Sequence, residues 1–268
     1  MHPIERLRYV ARAAGADPAL VAREAAGALA EVATDDPAGL VPACRRLLGH
    51  HVTSGQVWWL SARMLASDRP ARAAREAVAA LEGDETTSRL AAELPDDTTV
   101  CIVGWPDATA AALRRRGDVE VLVADAGGEG AVLARRLGEA GTDAAVVPDA
   151  GIGAAAAVSG LVIVEARAAG PGGLLAATGS HAAAAVATAA GVPVWAVTPV
   201  GTVLPERLWD VLCSRIDAGG DEPWERDVEL VPARVLSAVV GPGGLAEVGP
   251  ALRSSDAPPV AELLHDPR

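Results

Sequence analysis

The 268-residue chain contains no lysine and no phenylalanine, and Tyr9 is its one tyrosine. The missing lysine excludes a Schiff-base nucleophile and a P-loop, since both need its ammonium. Cysteine is scarce as well. Cys44, Cys101 and Cys213 are scattered, form no CxxC pair and are odd in number, which argues against a disulfide framework. Each reads as a buried structural thiol rather than a nucleophile. The five histidines lack metal-ligand spacing, and the adjacent His50 and His51 point in different directions on a helix. No metal or cofactor is expected. No apolar run reaches the roughly 20 residues that a membrane span needs, and "MHPIERLRYVARAAG" has no signal-peptide core. A cytoplasmic location without membrane contact is expected.

Positive charge is in short supply too. The formal net charge is -12, and no basic stripe offsets it, so nucleic acid is excluded as a partner. The arginine clusters at 114–116 and 135–136 read as solvated helix ends that complement the macrodipole. What the chain does have is apolar residues, at 50% of the total, enough for a sizeable buried core.

Two halves follow from the patterning. Residues 1–95 read as helices. "IERLRYVARAAG" has helical spacing, "DPALVAREAAGALAEVA" opens on Asp17 with Pro18 at the first turn, and "DRPARAAREAVAALEGD" is again opened by an aspartate. Short Asp/Pro/Gly connections suit a helical bundle. From 96 to 250, short apolar runs such as "TTVCIVGW", "DVEVLVADAG", "LVIVEARAAG" and "VPVWAVTPVG" alternate with helical segments. That alternation predicts a parallel sheet covered on both faces: an α/β, Rossmann-like, doubly wound domain. Residues 251–268 read as a poorly ordered tail.

Ligands in such a domain bind beyond the carboxyl ends of the strands. The residues expected there are Gly104 and Trp105, Asp125 to Gly130, Pro148 to Gly151, Glu165 to Gly173, Thr198 to Thr202, and the helix start Thr178-Gly179-Ser180. Backbone amides and hydroxyls at that helix start suit an anion; ordinary capping by Thr178 or Ser180 is the plainer reading. Asp125 and Glu165 are candidates for a carboxylate pair across neighbouring strand ends, with helix capping as the alternative. "GGEG" at 127–130 follows a strand but is not GxGxxG, and the two "GPGG" runs read as turns. Trp195 and Trp209 are read as core packing, with an interface role as the alternative.

The run "LVIVEARAAGPGGLLAATGSHAAAAVATAAGVPVWAVTP" resembles a superfamily. It joins the alpha, beta and delta subunits of translation initiation factor 2B with methylthioribose-1-phosphate and ribose-1,5-bisphosphate isomerases. Its members carry "GADRV-x-x-NG-x-V-x-N-K-x-GT", an alanine-rich helix and a "VPFYV-x-x-P" strand. Glu165-Ala166-Arg167 matches the end of "GADR", Gly172 matches "NG", and Thr178-Gly179-Ser180 matches "x-GT". Downstream, "DVELVPARVLSAVVGPGGL" is similar to "E-x-VP-x-x-L-x-x-x-I-T-x-x-G". The match covers about residues 95–248. "HVTSGQVWWL" answers to "RPT-x-x-x-L", with His51 at the arginine.

The departures bear on function. The resemblance puts the isomerases' acid/base aspartate at Ala166, their cysteine at Gly104, and their substrate-binding "NK" at Ala176 and Ala177. An alanine moves no proton, and aldose–ketose isomerisation needs one moved. Cys101 does not substitute for the thiol: three residues earlier on a strand it points to the other face, about 10 Å away along the chain. The expectation is a non-catalytic binding or regulatory protein, a homodimer like its relatives. Its ligand site, for a phosphorylated sugar or nucleotide, is expected around Gly104, Trp105, Arg167, Thr178, Gly179, Ser180 and His51. The alternative is a sugar-phosphate isomerase with relocated groups, Asp125 or Glu165 serving as base. Another enzyme activity on the same scaffold stays open.

Overall fold

Alanine-rich stretches broken by Asp-Pro and Gly build the first half, and the computed structural model describes residues 18–220 and 222–264. The expected first helix and the Asp17 cap lie outside the described residues. Five helices follow: α1 (Pro18–Asp35), α2 (Leu40–His50), α3 (Gly55–Leu65), α4 (Pro70–Glu82) and α5 (Thr86–Glu93). Helix α3 is buried nearly all round, with Trp58, Trp59, Leu60 and Met64 fully covered. Such a helix is the central rod of a bundle, and α1 and α4 pack on it and on each other. Pro70, with its fixed φ, starts α4 directly after Arg69, and the expected aspartate, Asp68, stands one place too early to cap it. Asp84 does cap α5, accepting from the Thr86 amide (2.8 Å) and hydroxyl (2.6 Å).

The second half alternates as expected. Its elements are β1 (Thr99–Val103), α6 (Asp107–Leu113), β2 (Glu120–Ala124), α7 (Glu129–Glu139), β3 (Asp143–Val147), α8 (Ile152–Val158) and β4 (Leu161–Glu165). After these come β5 (Ala168–Gly170), β6 (Gly173–Ala177), α9 (Ser180–Ala190), β7 (Val194–Val197), α10 (Glu206–Asp217), β8 (Val228–Pro232), β9 (Ala238–Gly241), β10 (Gly244–Ala246) and α11 (Val248–Ala251). Among the described residues, seven strands form one sheet in the order β10-β9-β7-β4-β1-β2-β3, parallel except for β10. Alternate residues of β1 feed opposite faces. Cys101 and Val103 join one apolar cluster, Val100 and Ile102 the other. The chain leaves β1 for β2 on one side and reaches β4 on the other, so the order reverses between β1 and β4. A ligand crevice forms at such a point.

Both "GPGG" runs are two-residue hairpin turns, pairing Gly170 with Gly173 and Gly241 with Gly244. The first closes a small antiparallel sheet, β5-β6-β8, that the alternation pattern did not reveal. Its strands "AAG" and "GLLAA" are short and lack the β-branched and aromatic residues that mark strands. Trp209 seats on that turn; a Cβ at Gly170 would stand 2.4 Å from its ring. Trp209 is buried and Trp195 is partly buried against the sheet core, as core packing expects.

Two expectations change. The stretch read as a tail is packed through Leu264: Ala257, Val260 and Leu263 are buried in the core of the helical bundle. The Trp59 indole donates to Asp256 (2.7 Å), and Arg63 pairs with the same carboxylate. Spacing of apolar residues along "DAPPVAELL" is too short to signal this, because the segment adds to a core it does not build. The second change concerns Arg116. It is a staple rather than a solvated end, donating to Asp118, Asp96 and the carbonyls of Ala91 and Leu94. This ties α5 to the turn after α6.

Candidate functional site

A cavity of about 390 Å³ opens beyond the carboxyl ends of β1 and β4. Trp105 enters from the end of β1, Glu165 and Arg167 from the end of β4, Glu129 and Arg136 from α7, and Ser180 from the start of α9. Pro18, at the head of α1, also lines it. Gly104 adjoins it: a Cβ there would stand 3.6 Å from Ala177, which lines the cavity. Of the residues expected at the site, Trp105, Glu165, Arg167 and Ser180 therefore come together. Asp125, Thr178, Gly179 and His51 are not among the lining residues. His51 ends α2 in the loop that leads to Gly55, whose amide donates to the Arg167 carbonyl (2.8 Å).

The expected pairing of Asp125 with Glu165 across neighbouring strands is not formed, because β1 lies between β2 and β4. Each carboxylate has a separate local task. Helix α6 starts after Pro106, which offers no side-chain acceptor for the free amides of the first turn. Glu165 supplies one from β4, accepting from the amides of Ala108 (3.1 Å) and Thr109 (2.7 Å) and from the Thr109 hydroxyl (2.7 Å). Helix α7 starts after Gly128, which has no side chain; Asp125 accepts from the Ala131 amide (2.8 Å). Helix α9 starts after Gly179; Glu229 of β8 accepts from the amides of Gly179 (2.6 Å) and His181 (2.9 Å).

The last contact revises the reading of Thr178-Gly179-Ser180. The helix end suited to an anion already holds one, the chain's own Glu229. The Thr178 hydroxyl donates to the Arg226 carbonyl rather than toward a ligand. Glu229 lies in "DVELVPA", 50 residues after Gly179, and no local spacing links the two. Glu229→Ala is expected to lower stability by roughly 1–2 kcal/mol, with Glu229→Gln retaining about half, as read by urea denaturation. Equal stability of all three proteins would remove the capping role.

The electrostatics set Glu165 apart. Burial lifts its carboxyl from the ordinary 4.5 to about 7, the three hydrogen bonds pull against that, and the charge of Asp107 adds to the rise. The residue lines the cavity and is half-buried. Perturbed carboxyls in clefts mark functional sites. Burial pushes the Cys101 and Cys213 thiols up to about 11 and Cys44 to about 12, which makes all three inert at neutral pH.

Arg136 lines the cavity rather than standing as a solvated helix end. Its neighbour Arg135 pairs with Glu139 (3.8 Å) as a solvated helix end does. Arg136 instead lies over Trp105, its guanidinium carbon 4.9 Å from the ring centroid. The pairing joins residues 31 positions apart and leaves no mark in local patterning. The glycines of "GGEG" are explained by the turn: Gly127 and Gly128 have φ of 75° and 101°, and a Cβ at Gly130 would stand 2.3 Å from the Ala124 carbonyl. They serve close packing of α7 on β2.

A second cavity, about 580 Å³, lies past β7 and β9. Its lining is mostly Pro, Gly, Val and Ala, and its one charged group, Asp256, is already engaged by Trp59 and Arg63. Among the described residues no helix is long and apolar enough to cross a membrane, and no cluster of His, Cys, Asp and Glu is suited to a metal.

No protein-family model matches the chain, and no curated protein matches it in sequence. Solved structures do match. The chain is similar to a translation initiation factor eIF-2B of Pyrococcus horikoshii OT3, with a TM-score of 0.76 at 16% identity over 93% of this chain and 98% of that one. It is similar to eIF2B beta from Chaetomium thermophilum, with a TM-score of 0.71 at 17% identity over 99% of this chain and 93% of that one. A chain of the tetrameric eIF2B-beta2-delta2 complex from C. thermophilum matches with a TM-score of 0.68 at 18% identity, over 94% of this chain and 92% of that one. The likeness runs along nearly the whole length, and the chain has the fold of the eIF2B proteins.

Proposed function

We propose that the chain is a divergent, non-catalytic member of the superfamily that includes the eIF2B subunits and the sugar-phosphate isomerases. It acts in the cytoplasm as a binding or regulatory protein, built from a helical domain (1–95) and a Rossmann-like domain (96–250). Its cavity takes a small phosphorylated ligand, and two copies associate. One observation carries the reading. The positions that answer to the isomerases' cysteine, acid/base aspartate and the second residue of the substrate-binding "NK" are Gly104, Ala166 and Ala177. The first adjoins the cavity and the other two line it, and none of them transfers a proton. The beta2-delta2 complex of a fold relative supports self-association by analogy only.

A second reading has one specific observation in its favour. The Glu165 carboxyl lines the same cavity and is raised to about 7, the range of an effective general acid or base. It serves an isomerase with relocated groups. That Asp125 accepts from the Ala131 amide and is not among the lining residues favours Glu165 over it for this role.

The purified protein is tested with methylthioribose-1-phosphate and ribose-1,5-bisphosphate. The expected result is a Tm rise of roughly 5–10 °C at a hundredfold excess over Kd, without product. Turnover that vanishes in Glu165→Gln overturns the non-catalytic reading. No thermal shift with either compound counts against a sugar-phosphate ligand. Light scattering that returns the monomer mass at all concentrations removes the dimer.

A further inference from the structure

We infer that Arg136, lying over Trp105, is the cation that anchors the oxyanion of a small ligand in the cavity between β1 and β4. The inference rests on the proposed binding role of that cavity and adds the group that does the binding. In this fold, helix N-termini are the ready-made anion sites. Here three of them are closed by the chain's own carboxylates: α6 by Glu165, α7 by Asp125 and α9 by Glu229. Recognition of an anion then falls to side-chain cations. Arg136 and Arg167 line the cavity, and among the described residues neither guanidinium has an ion-pair partner.

Stacking decides between them. A guanidinium held over an aromatic ring by a cation–π contact still has N–H donors to offer, and their fork matches the two oxygens of a carboxylate or phosphate. The contact with Trp105 therefore restrains the Arg136 guanidinium before any ligand arrives, which reduces the ordering cost of binding. The cavity's acidic groups do not replace the ligand. Glu129 stands seven residues before Arg136 on the same face of α7, about 10 Å away along the axis. Glu165 accepts three hydrogen bonds, and Asp107 sits in the first turn of α6. Arg167 approaches from the β4 side and Arg136 from the β2 side of the crevice. A ligand anchored by Arg136 therefore lies across the end of β1.

Calorimetric titration tests this with ribose-5-phosphate, inorganic phosphate, acetate and, as a cationic control, ethylamine. Ribose-5-phosphate is expected to bind the wild type. Arg136→Gln weakens it about ten- to hundredfold, the usual cost of losing a charge-assisted pair. Arg136→Lys keeps the charge, loses the fork and weakens it about tenfold. The indole reports the same event: ligand changes the tryptophan emission of the wild type, and the change is absent in Trp105→Leu. Phosphate binding without acetate binding identifies a phosphate ester as the ligand class; the reverse identifies a carboxylate. Equal affinity of wild type and Arg136→Gln overturns the inference and leaves the cavity reading standing. No binding of any anion by the wild type, or ethylamine binding that ignores Arg136, overturns both. Arg136 is exposed, so both variants fold, and an unchanged melting curve without ligand verifies it.

Discussion

Trp59→Ala lowers the stability of the protein by about 3–5 kcal/mol, the range for removing a large buried aromatic. The residue is fully buried in α3 and joins three parts of the chain. Its ring packs against Gly201, where an added Cβ would stand 2.9 Å from it. Its indole donates to Asp256, and Arg63 stacks over it at 5.1 Å while pairing with that same carboxylate. Alanine leaves a cavity at the centre of the bundle and frees the segment that carries Ala257, Val260 and Leu263. Urea denaturation reads the first effect, and loss of amide protection in 255–264 reads the second. Trp59→Phe separates the two. It keeps most of the packing and loses the Asp256 hydrogen bond, at a cost of roughly 1–3 kcal/mol. A midpoint for Trp59→Ala within experimental error of wild type removes Trp59 from the core's centre.

Glu165 makes stability depend on pH in a direction unusual for a carboxylate. Its folded value, about 7, lies above its unfolded value near 4.5. Between those values the folded protein binds the proton and the unfolded chain does not, so stability falls as pH rises. The contribution is complete below about pH 4.5 and lost once pH passes about 7, on the order of 3 kcal/mol in all. Glu165→Gln is permanently neutral and lacks this component, at the cost of one acceptor facing the α6 amides. Denaturation at pH 5 and pH 8 compares the two proteins. Wild type is expected to lose on the order of 3 kcal/mol more than the variant over that interval. Parallel behaviour would mean that Glu165 stays ionised throughout, and the isomerase reading would lose its proton carrier with it.

What the sequence discloses, and what it hides, follows from the range of each signal. Helical and strand periodicity is local, and it foretells α1 to α5 and the strands β1, β2, β4 and β7. It also points to three residues that line the cavity: Glu165 ends an apolar strand, and Trp105 and Arg167 each stand two residues beyond one. Cross-chain contacts leave no such trace. Glu229 on the α9 amides, Arg136 on Trp105 and Asp256 on Trp59 each join segments brought together only by the fold. The Asp125–Glu165 pair fails for a related reason. Chain order makes β2 and β4 look adjacent, while β1 separates them in the sheet. The strands β5 and β6 are hidden by composition, since alanine and glycine carry little preference for either regular structure in so short a run.

The strap formed by Ala257, Val260 and Leu263 has a consequence in time as well as in space. The helices α1 to α4 leave the ribosome first, and domains generally fold in that order. Their apolar core, however, also takes in Leu204, Leu208 and Leu212 of the α10 region, and then the strap. The half of the molecule that is made earliest is therefore completed last, when residue 263 has cleared the exit tunnel. Until then the apolar residues of the bundle that Leu204, Leu208, Leu212 and the strap cover in the finished fold lack that cover.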